Sequence, residues 1–176
     1  MLDPSTAAGH LLAPTFNFRV TLRRSRPGGG GQRPDDLPDL LGDGGFQECS
    51  GLEIDMDVQE LKEGGRNDGI VRMVGAGKYT NLVLKRGMFY APDGSVDSQF
   101  WRWLQFYLSG TRPVPRYDGT IEVLTPSGDP AGRTLATWSF TEGLPARVRG
   151  PELNARTGEI AIEELHIAHQ GLRLES

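Results

Sequence analysis

The sequence predicts a mainly β protein with a single α-helix. Three observations carry this. Apolar and polar residues alternate with a period of two in several stretches, as half-buried strands require. Glycine (24) and proline (12) punctuate the 176-residue chain too often for a helical bundle. Bulky apolar residues at helical spacing stand out in one place, an aromatic-rich run near residue 100. The length suffices for one domain with a real core.

Residues 1–14, closed by Pro14, read as a flexible arm ahead of a single domain over 15–176. Phe16, Phe18, Val20 and Leu22 alternate with Asn17, Arg19, Thr21 and Arg23, which makes a first strand. Residues 24–45 are a glycine-, proline- and charge-rich insert. Such composition buries too little apolar surface to offset its ordering entropy, so a mobile excursion is expected. Leu37, Leu40 and Leu41 form a short docking patch within it. The strands on either side of the insert are expected to pair as a hairpin.

In the next strand, Leu52, Ile54, Met56 and Val58 point one way and Glu53, Asp55, Asp57 and Gln59 the other. A polar arm follows: Glu63, Gly64, Gly65, Arg66, Asn67 and Asp68. It is too hydrophilic for a core and too glycine-rich for a helix interior. A long polar arm between two strands suggests a job outside the protein's own core, in assembly more than in catalysis. Leu82 to Arg86 is extended again and stops at Gly87.

Asp97 or Ser98 caps the predicted helix and Gly110 ends it. Phe100, Leu104, Tyr107 and Leu108 share one face, the default cover for a sheet. Trp101 and Trp103 lie on different faces, so part of this helix is expected to meet another subunit. Thr120 to Leu124 and Leu135 to Phe140 are strands around a turn at 126–130. Residues 142–159 read as a long connection. Ile160 to Ala168 is the last strand. Its alternation slips between Ile162 and Leu165, and the adjacent Glu163 and Glu164 suggest a β-bulge there.

Chemistry is scarce. The net charge of -4 argues against a general nucleic-acid binder. The single cysteine, Cys49, excludes an intrachain disulfide and reads as a small buried hydrophobe. His166 and His169 fall on opposite faces of one strand and make poor joint metal ligands. Glu53, Asp55 and Asp57 share a face but lack the tight loop that a calcium site adds. The phosphate-loop hint at Gly75 to Lys78 fails, because Arg72 and Tyr79 stand at required positions. Ser50 lacks the flanking glycines of a nucleophile elbow. No catalytic residue, cofactor or metal is expected. The N-terminal residues show no basic n-region or long apolar run, so no Sec signal peptide is read and cytoplasmic synthesis is expected. No stretch has the apolar length of a membrane span.

Spread in order along the chain are Phe16-Asn17-Phe18-Arg19-Val20, Gly45-Phe46-Gln47-Glu48-Cys49-Ser50-Gly51-Leu52-Glu53, Glu63-Gly64-Gly65-Arg66-Asn67 and Gly75. Lys78-Tyr79, Leu82 to Gly87, the helix with Phe100, Trp101 and Trp103, and Ile160 to Leu165 complete the set. From about residue 15 to the end the chain resembles the T4-type tail-tube proteins of contractile phage tails and contractile injection systems. The resemblance implies two antiparallel sheets in a sandwich or partial barrel with a flanking helix. It implies six copies in a ring, inner sheets joined around a lumen, and rings stacked into a tube that a contractile sheath drives through a target envelope. Sheath protein, baseplate hub or spike proteins, and cargo in the lumen are the implied partners. On this reading the 63–68 arm reaches a neighbouring subunit or ring. Glu53, Asp55 and Asp57 line the lumen or a ring contact, and Phe100, Trp101, Trp103 and Leu104 serve core or interface. The long insert departs from a plain tube subunit and leaves open a tube-initiator ring at the baseplate. A type VI secretion-like ring protein is a further alternative, and a small β-barrel ligand binder or enzyme a remote one.

Overall fold

The computed structural model describes residues 17–25, 37–42, 45–62, 64, 69–110, 112–125, 133–156 and 158–175. The elements are β1 (Phe18–Arg24), β2 (Leu40–Leu41), β3 (Glu48–Ser50), β4 (Ile54–Leu61), β5 (Val71–Tyr79), β6 (Leu82–Gly87), α1 (Gln99–Leu108), β7 (Tyr117–Leu124), β8 (Thr134–Arg149) and β9 (Ile162–Glu175). Seven strands form one curled antiparallel sheet in the order β2-β1-β7-β8-β9-β6-β3, and β4 and β5 form a second, two-stranded sheet. The mainly β architecture with one flanking helix is the one the sequence predicts.

Inward-facing alternate residues build the core: Val20 and Leu22 of β1, Leu82 and Leu84 of β6, Ile121 of β7, Phe140 of β8, Leu165 and Ile167 of β9. Helix α1 covers it with Phe100 and Trp103. The Trp103 ring meets Tyr117 edge-on at 4.8 Å, and its indole Nε1–H donates to the Pro115 carbonyl at 3.0 Å. Trp103 is therefore core, while Trp101 and Leu104 are half-buried and Leu108 is exposed. The inward stripe runs through Phe100, Trp103 and Tyr107, not through Leu104 and Leu108 as the spacing suggests. Ser98 is the N-cap but makes no side-chain cap bond; Asp97, one residue earlier, accepts the Gln99 N–H at 3.0 Å, and Gly110 ends the helix with φ +73°.

The strands flanking the insert do not pair with each other. β1 lies between β2 and β7, and β3 stands at the far edge beside β6. The docking patch is real in part: Leu37 and Leu41 are buried, Leu41 facing Leu22 on β1, while Leu40 is exposed. Residues 26–36 and the 1–14 arm lie outside the described residues. The connection expected over 142–159 is strand as far as Arg149. Gly143 and Pro145, which imitate a turn in the sequence, sit at two register shifts of β8 against β9.

No bulge interrupts β9 at Glu163 and Glu164: the pairing with β6 runs unbroken from Leu82–Ile167 to Gly87–Ile162. The alternation slips because Glu163 occupies a core position. Its Oε1 accepts from Arg86 Nε at 2.7 Å, and both side chains are fully buried. Arg86 Nη2 lies 3.0 Å from Asp97 Oδ2, an ion pair set off the hydrogen-bond axis. The guanidinium carbon sits 3.9 Å from the Phe100 ring centroid. One buried cation thus ties β6, β9 and the start of α1 together.

Candidate assembly interface

β3 and β4 run on from one another, as do β5 and β6. Glu48 faces Lys85, and the same register continues through Ile54 facing Tyr79 to Met56 facing Gly77. The four strands are one long hairpin whose base belongs to the main sheet and whose outer part leaves it. The departure is at Gly51, with φ +86°; a Cβ there would sit 2.2 Å from the Asn81 carbonyl oxygen, so only glycine fits the crossing. Just beyond, His169 Nε2 donates to the Thr80 carbonyl at 3.1 Å, between the rings of Tyr79 and Phe140. Burial pushes the His169 pKa down, against a smaller upward pull from the Thr80 bond.

Outside the crossing, every residue of β4 is exposed. Ile54, Met56 and Val58 share a face with Tyr79 and Val74 on β5, by their cross-strand pairing. Met56 is 52% exposed and Val74 67%. β5 carries one extra residue between Val74 and Gly77. On the reverse face Asp55 opposes Lys78, and Lys78 Nζ is 3.5 Å from Asp57. Glu53 precedes β4 at the crossing, its N–H donating to the Gly51 carbonyl at 2.9 Å. The acidic row is thus solvated and partly offset by a lysine, and among the described residues no three carboxylate, histidine or cysteine side chains could hold a metal ion. Leu52 packs partly against the core and does not share the exposure of Ile54, Met56 and Val58. Of the polar arm, Gly64 is an exposed turn residue; Glu63, Gly65, Arg66, Asn67 and Asp68 lie outside the described residues.

Sequence reasoning missed β5 because Gly75 and Gly77 break its pattern; the alternation of Val71 and Met73 was the available signal. Burial, with the Glu48 charge second, pushes the Cys49 thiol up to about 11, which leaves no reactive thiolate at neutral pH.

A family model described as T4-like virus tail tube protein gp19 matches residues 14–173. The chain belongs to that family. This tail tube protein also matches by fold a chain in the baseplate of the anti-feeding prophage, at 23% identity and TM-score 0.72, over 94% of this chain and 97% of that one. A chain of the sheath-tube complex of the extracellular contractile injection system PVC matches at 21% identity and TM-score 0.68, over 100% and 99%. A type six secretion system protein is more distant, at 12% identity and TM-score 0.51, over 90% and 83%. No curated protein matches the sequence. The family is one of tail tube proteins, and the structural relatives share its fold.

Proposed function

We propose that this tail tube protein is the repeating subunit of the inner tube of a contractile injection particle or contractile phage tail. Six copies close a ring, rings stack, and the stack forms the channel that a sheath drives into a target. The observation that carries this is the β4–β5 ribbon. An isolated two-stranded ribbon is marginal in water, and this one bares a row of large apolar side chains. A second copy over that row would complete it, and ring closure leaves no open sheet edge at β3. Sheath, baseplate and cap proteins are the partners suggested by the complexes that contain the structural relatives. Electron microscopy of the purified chain tests the reading: hexameric rings or tubes are expected, and a monomer at every concentration would refute it. Shortening residues 63–68 to a two-residue turn is expected to leave circular dichroism unchanged and to block stacking; unchanged tubes would remove the arm from the contact.

A further inference from the structure

The face of the main sheet that points away from the core carries a charge pattern. Arg149 on β8 faces Glu164 on β9, Glu164 faces Lys85 on β6, and Lys85 faces Glu48 on β3. Their chain neighbours Val148, Leu165, Leu84 and Cys49 turn into the core, so the four charged side chains stand together on the opposite face. The row reads positive, negative, positive, negative across about 14 Å, three strand spacings of about 4.8 Å. Lys85 Nζ lies 2.9 Å from Glu48 Oε2. A hydrogen bond from His166, with smaller help from Lys85 and Arg149, holds the Glu164 carboxyl below its usual range.

Both ends of the row are ends of the sheet. β3 is an edge strand. β8 has outrun β7 by the time it reaches Arg149, since the last β7 partner is Tyr117 against Gly143. Arg149 is exposed and has no salt-bridge partner among the described residues. A row that ends in opposite signs continues unbroken when a second copy is set beside it head to tail. A two-fold arrangement would instead bring Glu48 against Glu48.

The geometry points to a head-to-tail seam in which the Glu48 edge of one copy docks beside Arg149 of a second copy. This rests on the ring reading above and names its lateral contact. The repeat then closes as a belt of alternating charge, and the ion pair selects orientation while the ribbon supplies area. Surface pairs of this kind add little affinity, but like charges set face to face are strongly rejected.

The test uses the full chain and native mass spectrometry of assembled rings, with circular dichroism to confirm folding. Glu48→Lys and Arg149→Glu should each lower the apparent assembly constant roughly tenfold per seam, the ratio that about 1.4 kcal/mol gives. The loss should shrink at high salt. The double variant E48K/R149E should recover most of it. The fully inverted chain, E48K/K85E/E164K/R149E, keeps every charge pair of the row; it should form rings alone and refuse mixed rings with the wild-type chain. Free mixing, or single variants that assemble like wild type, would overturn the seam. If a single variant fails to fold, the inverted chain decides. A wild-type chain that forms no ring would instead overturn the tube reading itself.

Discussion

β4 and β9 carry the same alternating pattern and meet opposite fates. In β9 Leu165 and Ile167 are fully buried, and even the charged Glu163 is sealed from water. In β4 Ile54, Met56 and Val58 are each about half exposed. Alternation sorts side chains onto two faces; it does not say what covers either face. β9 lies between β8 and β6 with its inward face in the core that α1 closes, while among the described residues β4 pairs only with β5. A greasy stripe that no described residue covers is what the proposed assembly would bury.

The contrast can be broken from the covered side first. Trp103→Ala removes a fully buried ring and one of the two hydrogen bonds to the Pro115 carbonyl, which keeps the Tyr107 hydroxyl, so a loss of about 3–5 kcal/mol is expected in urea unfolding. A loss below about 1 kcal/mol would mean that the helix is not part of the core. Arg86→Met strands the buried Glu163 carboxylate and should cost a similar amount. The double variant R86M/E163L should regain much of it, which would mark the pair as a device for specificity more than for stability. On the uncovered side, Val58→Lys should shift monomer stability by no more than about 0.5 kcal/mol while abolishing assembly in sedimentation. Equal losses in both measurements would erase the distinction between the two regions.

The smallest effect is a titration at the joint between them. His169 takes its proton at lower pH in the native state than in the unfolded chain. The unfolded state therefore binds more protons in that interval, and stability falls as pH drops through about 6.5. Denaturant unfolding at pH 7.5 and 5.5 should show the fall, and His169→Phe should reduce it. An unchanged slope in the variant would detach the effect from this residue.

Much of the molecule was legible in its alternation. β1, β6, β7 and the start of β8 follow from period-two patterns, and α1 from its aromatic run. The misreadings share a physical cause. Gly143 and Pro145 in β8, and Gly75 and Gly77 in β5, are turn-forming residues placed inside long strands, where they serve register shifts and close pairing. Glu163 broke the apolar count because its compensating cation, Arg86, is 77 residues away in the chain. At the interface, the ribbon's polarity pattern was visible but not its isolation from the sheet. That depends on the crossing of Gly51 over Asn81, which no local pattern reveals. The charge row was equally hidden, since each of its members comes from a different strand.

The register of the hairpin runs through that crossing without a step. Sliding the outer ribbon by a single residue would drag Leu82 and Leu84 to the wrong side of the main sheet and pull Arg86 away from Glu163. The interior of the monomer therefore acts as the zero mark of a ruler whose far end lies in another molecule. Whatever distance that ruler sets is the same in each identical copy, which is what a shaft of uniform pitch requires.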